Sequence, residues 1–298
     1  GRAVSVQSGT ASTERVFELL EAPDETPDPP NAPKPVKGQG RITFENVKFS
    51  YNPEKPLIED LSFTVEPGQK VAIVGPTGAG KTTLVNLLMR FYELDGGKIT
   101  VNGQNIADLR RDDVRRRTGM VLQDPWLFAG TIRANIRYGN EEATDQQIEA
   151  AAKATYVDRL VAQLPLGYDT ELDEDATNLS AGERQLLTIA RAFVAHPSIL
   201  ILDEATSSVD TRTERMLQKA MVALQSGKTS FIIAHRLSTI RDADLILVME
   251  DGHIVEQGNH EQLIEAKGAY YRLYNSQFEG AAHDAEELKD LEQQHLMS

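Results

Sequence analysis

The stretch Gly75-Pro76-Thr77-Gly78-Ala79-Gly80-Lys81-Thr82 fits the pattern G-x-x-x-x-G-K-[ST], a set of residue types and spacings that binds phosphate. Glycines let successive backbone N–H groups curl around a β-phosphate, and a following helix aims its positive end at the same anion. Lys81 then reaches the β- and γ-phosphates, Thr82 holds Mg²⁺, and Thr83 completes the phosphate-binding run. A second element, Ile199-Leu200-Ile201-Leu202-Asp203-Glu204, reads as a buried strand ending in two carboxylates, at the edge where open α/β sheets bind ligands. Asp203 would orient Mg²⁺ through its water shell, and Glu204, pointing elsewhere, could polarise an attacking water. The alternative is that both acids cap a helix beginning near Thr206.

Such groups need a scaffold that brings a loop and a strand end together. The 298 residues suffice for one large domain or two small ones, with a core that needs no staples. A formal net charge of −14 would repel a nucleic-acid backbone, though it leaves room for a local nucleotide site. With no cysteine, disulfides, thiol nucleophiles and cysteine-ligated metal centres are excluded. No apolar run approaches the roughly 18 residues of a membrane span and no signal-peptide core is expected, so the fragment reads as soluble, without direct membrane insertion.

Strand texture begins at Ile42, Phe44 and residues 47–49, and recurs at 71–74, 120–122, 199–202, 231–234 and 245–249, with helical patterns between. That alternation predicts an α/β domain with a largely parallel, buried sheet. Leu84, Leu87, Leu88 and Phe91 share one helical face, and residues 141–164 have helical texture without a strand candidate. Val16, Phe17, Leu19 and Leu20 space as a helix capped at Ser12 or Thr13. Residues 21–40, with six prolines from Pro23 to Pro35, cannot pack a core and read as a semi-rigid linker. Residues 279–298 form an acidic tail, read as a frayed helix or disordered.

Between the two chemical elements stands Leu179-Ser180-Ala181-Gly182-Glu183-Arg184-Gln185, which resembles the signature motif of ATP-binding cassette (ABC) ATPases. Other segments follow in that family's order: Tyr51 is similar to the A-loop aromatic, Gln123 to the Q-loop residue, Ser208-Val209-Asp210 to the D-loop, and His235 to the switch histidine. The likeness runs from about Arg41 to Phe278. It implies a P-loop NTPase core with a mainly parallel sheet, an N-terminal antiparallel β subdomain and a helical subdomain at about 124–195. The stretch Phe128-Ala129-Gly130-Thr131-Ile132, the surroundings of His235 and the ending Gly252 to Gln257 with Tyr270-Tyr271 resemble exporters with a membrane domain fused ahead of the cassette. On that reading, residues 1–20 are the tail of the last transmembrane or coupling helix, 21–40 a linker, 41–278 the ATPase domain and 279–298 the tail.

The resemblance implies ATP and Mg²⁺ as cofactors, on the cytoplasmic face of the cell membrane. Lys81, Gln123, Glu204 and His235 would be catalytic, and Thr82, Gln123 and Asp203 would serve the metal. Tyr51 would stack on adenine, a contact worth about 1–3 kcal/mol; the alternative is a core aromatic at a strand end. Ser180, Ala181, Gly182 and Glu183, with Asp210, would close over ATP held by a facing cassette, so that ATP glues a head-to-tail dimer. The family's commonest signature has glycine and glutamine where this chain has Ala181 and Glu183; the added methyl and carboxylate are mildly unfavourable beside phosphate. With Lys81, Asp203, Glu204 and His235 intact, this implies one half of a heterodimeric exporter whose altered signature covers a weaker site on a different partner. A tolerant homodimer is the alternative. Asp173, Glu174, Asp175 and Thr177 depart from the family's glycine-containing stretch, at a position that would face the membrane domain. A soluble DNA-repair or translation ATPase and a non-hydrolysing ATP-gated module remain as rival functions.

Overall fold

Apolar and polar residues alternate along 42–49, as a strand buried on one face requires. In a computed structural model, which describes residues 25–36, 38, 40–122, 125–174, 176–204 and 211–276, this stretch is β1 (Ile42–Phe49). It pairs antiparallel with β2 (Ile58–Val65) and β4 (Gly96–Val101), and the short β5 (Gln104–Asn105) extends the same four-stranded sheet. The sequence reading does not single out β2 or β4, whose polar outward residues break up the apolar signal.

The continuous aliphatic runs form the second sheet. β3 (Lys70–Val74), β6 (Thr118–Val121), β9 (Ile199–Asp203), β10 (Thr229–Ile233), β11 (Leu245–Glu250) and β12 (His253–Gly258) lie in the order β12-β11-β3-β10-β9-β6, parallel except at the β12 edge. Because side chains alternate across a sheet, it separates two cores. Ile73, Ile201, Phe231 and Leu247 face the antiparallel sheet and α1 (Lys81–Leu88), whereas Val74, Leu202, Ile232 and Val248 face helices on the other side.

Those helices include α3 (Ile132–Arg137), α4 (Asp145–Ala154), α5 (Val157–Val161) and α6 (Ala181–Val194), which follow α2 (Arg111–Arg115) in the chain. A two-residue ribbon, β7 (Gly130–Thr131) with β8 (Glu171–Leu172), ties α3 to the segment before α6. Next come α7 (Thr211–Gln225), α8 (Leu237–Arg241), α9 (His260–Ala266) and α10 (Ala269–Tyr274). One expectation changes. α1 stops at Leu88 and Arg90 turns to φ 53°, so Leu84, Leu87 and Leu88 are buried while Phe91 lies beyond the helix and is exposed. The helix start expected near Thr206 lies outside the described residues; α7 is described from Thr211.

The proline-rich stretch packs no core, yet its described part is anchored. Asp28 accepts from the Arg111 backbone N–H at 3.1 Å and from its guanidinium at 3.2 Å, and Glu25 meets Arg111 Nε at 2.8 Å. Farther on, Val36 N–H donates to Gln104 Oε1 at 2.6 Å, and the Gln104 amide donates to Lys34 O at 3.1 Å. Residues 1–20 and 279–298 lie outside the described residues.

Candidate functional site

Register decides which groups can meet. Ile233 of β10 is level with Ile73 of β3 on one side and with Asp203 of β9 on the other. The three strands therefore end together, and the loop after Val74, the Asp203-Glu204 pair and His235 emerge from one edge of the sheet. β6 ends beside them, Val121 level with Leu202; Gln123, two residues on, lies outside the described residues, as does Asp210.

The loop is shaped by its glycines. Gly75 has φ 150°, and a Cβ there would stand 2.2 Å from the Met249 carbonyl of β11, so no side chain fits against that strand. Gly80, at φ 98°, caps α1 without a side chain, so no side chain takes up the helix's first N–H groups at the end of the loop. Lys81 folds over it, donating to Gly75 O at 2.6 Å and Pro76 O at 2.9 Å. Burial lowers the pKa of its ammonium from the ordinary lysine value, and the Asp203 carboxylate raises it part of the way back. Thr77, Gly78 and Thr82 are exposed, whereas Ala79 and Thr83 are buried.

Tyr51 follows β1 and is 53% exposed, which removes the core-aromatic alternative. Its hydroxyl lies 3.2 Å from Thr83 Oγ1, and its ring stands edge-on to Phe49 at 4.9 Å and to Tyr92 at 5.0 Å. An exposed ring is thereby bonded to the phosphate-loop helix, an arrangement suited to a base whose phosphates lie in that loop. Tyr92 goes unnoticed in sequence because nothing local marks it as Tyr51's neighbour.

The two carboxylates diverge. Asp203 Oδ1 lies 3.9 Å from His235 Nε2. Glu204 turns away: its Oε2 accepts from the backbone N–H of His235 at 2.8 Å and of Arg236 at 3.0 Å, and its Oε1 accepts from the Thr239 hydroxyl. It therefore caps the turn after β10, which neither sequence reading anticipates. Glu204, Arg236 and Thr239 line a cavity of about 260 Å³ together with Gln185, Leu217 and Met221; none of the loop residues from Gly75 to Thr83 lines it.

The signature residues form the start of α6. Ser180 Oγ accepts from Glu183 N–H at 3.3 Å, and a Glu183 carboxylate oxygen accepts from Ser180 N–H at 2.8 Å. This reciprocal cap ties the acid to the first turn of α6. Ser180 and Ala181 are exposed and Gly182 is buried.

A family model described as ABC transporter matches residues 58–207. The chain belongs to the ABC transporter family. Among its relatives, a fatty acid ABC transporter ATP-binding/permease protein of Mycobacterium tuberculosis is 58% identical over 269 residues, covering 90% of this chain and 42% of that protein. A probable multidrug resistance ABC transporter ATP-binding/permease protein of Bacillus subtilis, YheH, is 44% identical, covering 89% of this chain and 39% of that protein. The ABC fold is also that of a solved bacterial Atm1-family ABC exporter with ATP bound, at TM-score 0.81 and 43% identity, covering 92% of this chain and 48% of that one. The chain thus spans less than half the length of these relatives. It carries an ABC ATPase domain, and among the described residues no helix is long and apolar enough to cross a membrane.

Proposed function

We propose that this chain is the motor of an exporter, binding Mg-ATP at its phosphate loop and hydrolysing it to drive transport across a membrane. The observation that carries the reading is the common ending of β3, β9 and β10, which gathers Lys81, Asp203, Glu204 and His235 at one sheet edge. Phosphate is held by backbone N–H groups of the loop and by Lys81, adenine by Tyr51, and γ-phosphate by His235. The donor set fits Mg²⁺: a threonine hydroxyl and an aspartate carboxylate offer hard oxygen ligands, and this cation is commonly held by one or two protein oxygens with phosphate and water. Thr82 and Asp203 supply those oxygens, with Gln123 as a further ligand; the cation, when bound, neutralises charge on the transferred phosphoryl group. Glu204 orients the attacking water.

The partner is a second cassette, whose Ser180-type signature covers this chain's nucleotide head to tail, with Asp210 contributing from the D-loop. A heterodimer is favoured by Ala181 and Glu183, which depart from the family's usual signature. A transmembrane domain is the other partner, and it fixes the cassette at the cytoplasmic face. The exposed rings of Trp126 and Tyr138, both against the Arg191 guanidinium, offer an apolar surface for such contact. The test is steady-state Mg-ATP hydrolysis across a range of protein concentrations, with Glu204→Gln as control. Phosphate release that rises more than linearly with concentration, and is lost in Glu204→Gln while ATP binding persists, supports the reading. Undiminished turnover in that variant removes Glu204 from the mechanism.

A further inference from the structure

We infer that Thr239 is a positioning residue for the ATPase reaction, holding Glu204 in a parked state from which movement of the His235 loop releases it. The inference rests on the proposed role of Glu204 with the attacking water. Both carboxylate oxygens are committed: Oε2 to the amides of His235 and Arg236, Oε1 to the Thr239 hydroxyl. Three of the roughly four acceptor sites of the carboxylate are thereby filled, and these bonds hold it against the His235 turn, so it must swing off them to meet a water at the phosphate loop. Its surroundings agree, since Glu204 and Thr239 line the same cavity and the loop from Gly75 to Thr83 does not.

The donors explain how release occurs. Two belong to the backbone that carries His235, so a shift of this segment toward a γ-phosphate lengthens their bonds to Glu204 at once. Thr239 is the one side chain among the three, and α8, which bears it, is a five-residue turn that can move with His235. Arg236 is held separately by Glu214, its guanidinium 3.3 Å from that carboxylate, so the loop is tethered on its α7 side. The arrival of nucleotide and the freeing of the base thus become one movement, which suppresses turnover before the γ-phosphate is in place.

Thr239→Val keeps the shape of the side chain and deletes the donor; Thr239→Ser keeps the donor. Kinetics with Mg-ATP should give Thr239→Val a kcat higher by about three- to tenfold at unchanged KM, less than the factor of a whole charge-assisted hydrogen bond, and Thr239→Ser a wild-type kcat. The rise should vanish in Thr239→Val/Glu204→Gln. Hydrogen exchange gives a readout without turnover: the amides of His235 and Arg236 should exchange several-fold faster in Thr239→Val than in Thr239→Ser. An unchanged or lowered kcat with unchanged exchange overturns the parked state, and a KM change alone would mean that Thr239 serves nucleotide binding instead. Wild-type turnover in Glu204→Gln overturns the role of Glu204 and this inference with it, whereas loss of turnover there with no Thr239 effect overturns this inference alone.

Discussion

Lys81 carries its charge at a cost where it folds over the loop. Two carbonyl oxygens accept from its ammonium, yet burial favours the neutral amine, and the nearby Asp203 carboxylate only partly restores the charge. The direction fixes the sign of a pH effect. With its folded pKa depressed, Lys81 in the native chain holds fewer protons than in the unfolded chain just below the ordinary lysine value, so its contribution to stability improves as pH rises through that window. Bound phosphates push the other way and recharge the amine. ATP binding near pH 9.5, below the free lysine value of about 10.4, should therefore take up protons, an uptake that fades toward neutrality. Calorimetric binding enthalpies in two buffers of different ionisation heat measure it directly. Lys81→Arg, which stays charged throughout this range, should remove the difference, and equal enthalpies in both buffers for the native residue would contradict the burial argument.

At the scale of elements, the segment before β1 is held by a knot of charge. Arg111 is 7% exposed and meets Glu25, Asp28 and Glu93, the last at 2.6 Å; Arg90, equally buried, shares Glu93 and donates to Leu109 O at 2.7 Å. Asp28 also caps α2 from outside, since Arg110 at its N-cap supplies no side-chain bond. Arg111→Met should cost about 2–4 kcal/mol, somewhat under the figure for breaking a fully buried pair because its partners keep contact with water. Asp28→Asn should cost about 1 kcal/mol. Urea titration reads both, and faster hydrogen exchange in residues 25–36 should accompany the first. The knot was hidden because sequence offers only proline and acidic residues there, and their arginine partners lie more than sixty positions away. The parallel strands, by contrast, were legible: a strand buried on both faces must be apolar throughout, as Ile199–Leu202 and Phe231–Ala234 are, and the loop's chemistry is local. β2 and β12, wetted on one face, gave weaker patterns. Glu204 could be recognised by its place after β9, but not its direction, which depends on amides thirty-one and thirty-two residues on.

For the whole molecule, net charge sets a condition on the proposed dimer. A chain at −14 approaching a copy of itself, with two nucleotides between them, works against long-range repulsion, and residues 279–298 add to it with six carboxylates against Lys289. The local terms are attractive: Ser180 and Ala181 at the start of α6 are exposed, and a facing nucleotide would place phosphate at that positive helix end. Salt separates the two contributions, because screening shrinks from about 30 Å at 0.01 M to about 8 Å at 0.15 M, which removes distant repulsion before contact-range attraction. Sedimentation velocity of Glu204→Gln with ATP should then show self-association strengthening over that range. Weakening with salt would mean that close ion pairs dominate the interface and that acidity is no obstacle to a homodimer. Strengthening carries a further consequence: a second cassette with a less negative surface would associate more tightly at low salt than this chain does with itself, which gives an electrostatic reason for unlike partners beside the departures at Ala181 and Glu183.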